Sequence, residues 1–524
     1  MKKQWTSWQV NIVYLLLFIS ISWFYGIFET INHGPYSHHQ WRQSDCLSIT
    51  QHYYQGDLPF LEPEIHWQGK DQAGKTISEF PIVYYVVGKL WQLFGKHYWI
   101  YRLINFLIVA IGLYYLKKLS NKLLEDPFWT IFVPLLLFSS PLLAHYSNNY
   151  LMNANALSFA IIASYLFYRH RIENSYKYLI YSCIIFLLAG LLKITSLMLF
   201  FAFFVVFLYT MLWKERSLKT RWKELLPYAG TLIGIFAWYM YTGWYNANNM
   251  SDVFLQGVLP IWELGWADIH SIWKSLNNDL KPFYFNVSVL FFLGLSGIGL
   301  LLNYKKTHKY LFPLTAVAII GIVCYILLFF QVFDHHEYYL IGLLFIIPLL
   351  SLLLLTRLIK HNPTIFKSGF LKITASIGLL FLIYSAGIQT RARYDISQEW
   401  VRNSSVLDKA AVDYWDWFHW NYGVRLKELE TIEPYLEQIG VKKEDKVISI
   451  PDESINISLY LMNRDGWSDY GNLEYQGAAR IEKAKEWGAK YLVISYLPLL
   501  EEEYLQPYLT NKIGETEHVT IFKL

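Results

Sequence analysis

Residues 101–122 read YRLINFLIVAIGLYYLKKLSNK, an apolar run followed at once by three lysines. A helix needs about 20 apolar residues to cross about 30 Å of hydrocarbon. A basic cluster at one end of such a run marks its cytoplasmic side. The same pairing recurs along the chain. Eleven segments qualify as spans, at roughly 9–28, 100–117, 127–144, 151–168, 177–192, 195–213, 225–245, 283–302, 310–330, 338–356 and 370–388. With the N-terminus in the cytoplasm, the basic connections are KKLSNK (117–122), RHRIENSYK (169–177), KERSLKTRWK (214–223), KKTHK (305–309) and the stretch from Arg357 to Lys372. All five fall on the cytoplasmic side, and one helix more or fewer would misplace the later ones.

Composition points the same way. Of 524 residues, 54% are hydrophobic and only 16% charged, against about 25% charged in an ordinary soluble protein. Lys2 and Lys3 precede the first apolar run, which ends in Trp23, Phe24 and Tyr25 with no small-residue cleavage site. It reads as an uncleaved first helix. The net charge of +4 is accounted for by loop lysines and arginines and gives no reason for a nucleic-acid partner. Cys46, Cys183 and Cys324 are far apart, with neither metal-site nor disulfide spacing.

The expected architecture is an α-helical polytopic membrane protein of about 11 spans over 1–390, with a large first extracytoplasmic loop at 29–99 and a soluble extracytoplasmic α/β domain at 391–524. In that tail KVISI (446–450), KYLVISY (490–496) and HVTIFKL (518–524) have strand character. SINISLYLM (454–462) and AARIEKAKEWG (478–488) have helical spacing.

Ionisable groups near a bilayer are costly without a role or a partner. Five connections bring such groups to the outer face. These are WRQSD (41–45) with EFP (79–81), the YRLIN start with Arg102 and Asn105, HYSNNYLMNAN (145–155) with Asn153, LLKITS with Lys193, and FDHHEYYL (333–340) with His335, His336, Glu337 and Tyr338. In the predicted helix QWRQSDCLSITQHYYQ, helical spacing puts Trp41, Asp45, Ser48 and His52 on one face. An Asp45–Arg42 ion pair is the plain structural reading of that carboxylate. Arg102 and Lys193 are cations on the disfavoured side and invite an anionic partner such as a lipid phosphate; lipid-headgroup snorkelling is the alternative. The adjacent His335 and His336 do not share a helix face, so they lack zinc spacing; hydrogen bonding to a polar substrate or phosphate fits them better. A divalent metal is compatible with these residue types, but nothing in the spacing requires one. The sequons at Asn286, Asn403 and Asn456 are short matches that carry no weight.

HQWRQSD, EFPIVYYVVGKLWQLFG, YRLINFL, GLLKITS, DHHEYYL and LYLMNRDGW (459–467) together resemble the GT-C superfamily of polyprenyl-phosphate-sugar glycosyltransferases. Lipid A aminoarabinose transferases and protein O-mannosyltransferases are the most similar in pattern. The resemblance implies a GT-C-like fold in a bacterial plasma (inner) membrane and a polyprenyl-phosphate-linked sugar donor. It implies a glycan, lipid or protein acceptor, and Asp45 as the catalytic base. Arg42, Arg102, Lys193, His335, His336, Glu337 and Tyr338 are then candidates for binding donor phosphate or substrate, supported by His52, Glu79 and Asn153. Two departures stand out. Cys46 follows Asp45 where the mannosyltransferases have an Asp-Glu pair, and Glu79 precedes Phe80-Pro81 where the aminoarabinose transferases have a Lys. A polymerase or ligase acting on lipid diphosphate-linked oligosaccharides is the rival enzyme. A transporter would need midplane charges and internal repeats, and neither is evident.

Overall fold

The computed structural model describes residues 6–254, 257–471 and 475–524; the Lys2–Lys3 pair lies outside them. The chain forms two compact units. One comprises Met1–Asn32, Tyr101–Tyr239 and Gly257–Arg391; the other comprises His33–Ile100, Met240–Gln256 and Ala392–Leu524. The first loop therefore belongs with the C-terminal tail, not with the helices that flank it in sequence.

All eleven apolar segments contain helix. Among the described residues six helices are long and apolar enough to cross a membrane: Ser7–Phe24, Tyr98–Leu124, Ile194–Lys214, Leu311–Leu328, Glu337–His361 and Gly369–Ala392. The number rises to 8 if each of two bent pairs counts as one span. Pro127–Phe138 and Pro141–Ser147 meet at 79°. Pro141 has no N–H to continue the helix and forces Ser140 into an extended conformation; the Ser140 hydroxyl then caps Leu143 N–H at 3.2 Å. The second pair, Trp266–Tyr284 and Val287–Leu302, meets at 95°, with Asn286 capping Ser288 at 3.0 Å. The first pair breaks the segment read from sequence as a plain span at 127–144; in the second, the helix before the bend lies mostly in the stretch between the spans 225–245 and 283–302. Asn153–Glu173, Tyr176–Leu192 and Leu225–Asn248 are helices that miss the same standard by length or composition. The chain is a multi-pass membrane protein.

In the helical unit, Phe18 stacks on Phe106 at 5.5 Å and meets Phe138 at 5.0 Å, joining three helices through one ring. The helix ends are tied by arginine. Arg391 Nε donates to Phe24 O at 2.8 Å, and its guanidinium also holds Glu29 at 2.7 Å. A cation at that position satisfies carbonyls that the first helix leaves open at its C-terminal end.

The second unit has a five-stranded sheet: β1 Lys446–Ile450, β2 Gly466–Trp467, β3 Ala489–Ile494, β4 Lys512–Glu515 and β5 Thr520–Lys523, in the order β2-β1-β3-β5-β4. β1 runs parallel to β2 and β3; β5 is antiparallel to β3 and β4. β2, with two residues, is too short to show strand alternation. Loop residues extend the β2 edge: Gly466 N donates to His66 O at 3.0 Å and Gln68 N to Gly466 O at 2.8 Å. A Cβ at Gly466 would lie 1.9 Å from Val447 O, so only glycine fits.

The Gln40–Gln55 helix packs on Ile82–Phe94 through Gly88, where a Cβ would come 2.7 Å from that of Tyr53. Gly88→Leu is expected to cost about 1–3 kcal/mol by overpacking. A lower thermal midpoint of the detergent-solubilised protein checks this, and an unchanged midpoint would show that the two helices can separate freely.

Candidate active site

Most of Gln40–Gln55 is buried although it is rich in polar residues. Buried polar groups need partners, and here local carbonyls and distant side chains supply them. Gln40 Nε2 donates to Pro35 O at 2.9 Å, and Gln43 Nε2 to Tyr36 O at 2.7 Å. Lys96 donates to Gln51 Oε1 at 2.6 Å. These bonds fix the rotation of the helix and thereby the direction of Asp45.

Asp45 is 1% exposed. Asn456 Nδ2 donates to its Oδ1 at 2.8 Å, and Arg42 to its Oδ2 at 2.9 Å. The same guanidinium reaches Glu79 at 3.1 and 3.3 Å. Tyr84 donates to Glu79 Oε2 at 3.2 Å, and the Phe254 ring lies 4.9 Å from the guanidinium carbon. The sequence-assigned Arg42, Asp45 and Glu79 thus meet as carboxylate, guanidinium and carboxylate. Burial pushes the Asp45 carboxyl up to about 6, against the opposing pull of the Arg42 charge and of the hydrogen bonds from Asn456 and Arg42. A carboxylate offers roughly four acceptor sites, so two hydrogen bonds leave it able to take a proton.

Asp45, Ser48 and His52 share a face, as the helical spacing predicts, and all three face the tail's residues. Ser48 bonds His66 Nδ1 at 2.7 Å, and His52 Nε2 stands 3.4 Å from Asp465. His52 is therefore not in the Arg42–Asp45–Glu79 group. Asn456, set aside in the sequence as a chance sequon, is instead a direct partner of Asp45. Their separation of 411 positions leaves no local signal. His66, Asp465 and Tyr84 were likewise invisible to spacing.

In the helical unit the other candidates fall into distinct settings. Arg102 has a structural role that the sequence reading did not include. It is 0% exposed, donates from Nε to Tyr150 Oη at 3.1 Å and from the guanidinium to Asn148 O, and lies over the Tyr150 ring at 4.4 Å. Tyr101 serves Tyr150 O at 3.1 Å and Asn105 serves Asn149 O at 2.7 Å. YRLIN therefore satisfies three consecutive carbonyls of a buried turn, with Arg102 enclosed by protein. Asn153 Nδ2 donates to Tyr338 O at 3.1 Å, which joins two of the assigned residues in an internal tie. Glu337 is fully buried and accepts from Tyr146 at 3.2 Å, whereas the next-but-one His335 is exposed and pairs with Asp334 at 3.0 Å. His336 meets the Tyr338 ring at 5.5 Å. Adjacent residues thus point to opposite environments, and His335 and Glu337 do not act as one ligand set. Lys193 is half-buried, over the Tyr339 ring at 5.8 Å.

Two apolar cavities of about 760 and 260 Å³ lie in the helical unit. Of their lining residues, Lys372 in one and Arg171 and His308 in the other come from the basic connections read as cytoplasmic.

The family model described as dolichyl-phosphate-mannose-protein mannosyltransferase matches residues 78–241. No curated protein matches the chain by sequence. Among solved structures, ArnT from Cupriavidus metallidurans in the apo state superposes with a TM-score of 0.56 at 10% identity, over 98% of this chain and 97% of that one. The same protein bound to undecaprenyl phosphate superposes with a TM-score of 0.53 at 12% identity, over 97% of each chain. The fold is thus that of ArnT over nearly the whole chain.

Removing the Arg102 guanidinium would strand the Asn148 carbonyl in an enclosed turn, at a cost of about 1–3 kcal/mol. Arg102→Leu is expected to lower the thermal midpoint and the yield of folded protein. Full stability with lost donor binding would mark Arg102 as a phosphate ligand.

Proposed function

We propose that this chain, a membrane glycosyltransferase of the GT-C type, moves one sugar from a polyprenyl-phosphate donor to an acceptor hydroxyl on the extracytoplasmic face of a bacterial inner membrane. Asp45 is the general base. One observation carries the reading: a nearly fully enclosed carboxylate, held on both oxygens, with its proton affinity raised to about 6. A base works best with a pKa near the operating pH, and an ordinary surface aspartate near 3.9 falls well short of that.

The chemistry is a direct displacement. The acceptor O–H gives its proton to Asp45 while its oxygen forms a bond to the anomeric carbon. The bond from that carbon to the phosphate oxygen breaks, and the polyprenyl phosphate leaves with the electron pair. Arg42 keeps Asp45 and Glu79 in register, and Glu79 balances the guanidinium so that it does not draw all of the basicity from Asp45. Lys193 is carried over from the sequence reading as a candidate for holding the donor phosphate; charge developing on a leaving phosphate calls for such a group. The undecaprenyl phosphate bound by ArnT supports this class of donor, and the mannosyltransferase match supports a phosphate-linked sugar. A resident divalent metal has no part in this scheme.

Asp45→Asn should lower turnover by about 10²–10⁴-fold at equal membrane abundance, with lipid-linked sugar accumulating in cells as measured by mass spectrometry. Wild-type turnover by Asp45→Asn would sink the assignment. The pH profile gives an independent check. Asp45 must be ionised, so kcat/KM should be level above about pH 6 and fall tenfold per unit below it. In Asn456→Ala the carboxylate loses a hydrogen bond that favours its charged form, so the acidic limb should move to higher pH; an unmoved limb would assign it to another group.

A further inference from the structure

A second group of side chains in the loop-and-tail unit has no part in the proposed transfer. His52, His66 and Asp465 each offer one ligand atom, all within 4.8 Å of one another. They come from three places: the Gln40–Gln55 helix, the loop after it, and the residue before β2. The pairing of His66 O with Gly466 N at 3.0 Å fixes two of them on rigid backbone, since Gly466 follows Asp465 directly.

Both imidazoles are oriented from behind. His52 Nδ1 lies 2.9 Å from Ser48 O, which can only accept. That nitrogen therefore carries a proton, and Nε2 faces Asp465 at 3.4 Å, the direction from which the neutral ring would offer its lone pair to a metal. His66 Nδ1 lies 2.7 Å from Ser48 Oγ, which also accepts the His66 backbone N–H at 2.9 Å. Metal-bound histidines characteristically engage the other ring nitrogen in this way, which sets the tautomer and the ring angle. The group lines an open pocket of about 210 Å³ that also includes Glu64 and Lys443. There is room for a water or for a fourth ligand.

We propose that His52, His66 and Asp465 form a binding site for a divalent transition metal of the zinc class, with two imidazole nitrogens and one carboxylate oxygen as ligands. Two imidazoles and a carboxylate with an open position are a recurrent zinc donor set. The site ties the Asp45 helix to the loop and to the sheet. It also communicates with Asp45 through hydrogen bonds: Ser48 bonds His66 and reaches Asn456 at 3.5 Å, and Asn456 donates to Asp45. Its role is to position; it takes no part in the displacement.

The test uses the full chain in detergent, treated with a chelator and titrated with zinc alone, with bound metal counted per chain. One zinc per chain is expected, together with a rise in thermal midpoint. Asp465→Asn, at a half-exposed position, should abolish binding, and Ser48→Ala should weaken it about 10–100-fold. Loading with cobalt in place of zinc guards against variants that misfold. His52→Cys should add a thiolate-to-cobalt charge-transfer band if residue 52 is a ligand. Absence of stoichiometric zinc in the wild-type chain, binding unchanged by Asp465→Asn, or no thiolate band in cobalt-loaded His52→Cys would each overturn the site and leave His52 and Asp465 as a simple ion pair. None of these readings depends on sugar transfer, so the metal site and the proposed activity can fail separately.

Discussion

The guanidinium of Arg42 sits between Asp45 and Glu79 and makes the burial of both carboxylates tolerable. An isolated charge in such a setting would cost several kcal/mol or lose its ionisation. Arg42 itself is held by these two anions and by the Phe254 ring, so none of the three side chains can move without exposing the others. The Gln40–Gln55 helix carries this arrangement and must be buried on a polar surface. The glutamines and the threonine along it are the consequence, each bonded to a carbonyl or to a distant side chain. The strength of Asp45 as a base follows from the same balance: burial raises its proton affinity, and Arg42 with Asn456 keeps the rise moderate.

The helical unit solves a related problem with different atoms. In an apolar surround every backbone polar group needs a protein partner, and each break in a helix releases carbonyls. The turn after Pro141–Ser147 is answered by Tyr101, Arg102 and Asn105, one side chain for each of three carbonyls. The end of the first helix is answered by Arg391. Arginine is suited to this work because a single planar group delivers several donors and stays charged. Cations near helix ends in this chain are thus partly structural.

Much of the architecture was legible from periodicity and charge placement. The apolar runs and basic connections gave a multi-pass chain, and helical spacing correctly put Asp45, Ser48 and His52 on one face. The parallel strands KVISI and KYLVISY were readable because buried strands are near-continuous apolar runs. The motifs also carried the GT-C likeness that the fold and the mannosyltransferase match support. The breaks near Pro141 and Asn286 were harder, since an apolar run looks the same whether it is straight or bent.

The sequence by itself determined which segments avoid water and where a lone carboxylate and its neighbouring arginine stand on a helix. These are properties of the solvent and of local geometry, and they act within a few turns of chain. Tertiary structure alone decided what that carboxylate touches. Asn456 reaches Asp45 from the far end of the chain, and Asp465 reaches His52 and His66 through a strand edge that only Gly466 can close. It also decided that Arg102 faces a buried carbonyl. Such contacts are fixed by the pairing of distant backbone and by the requirement that every enclosed polar atom find a partner, and no spacing within the sequence records either one.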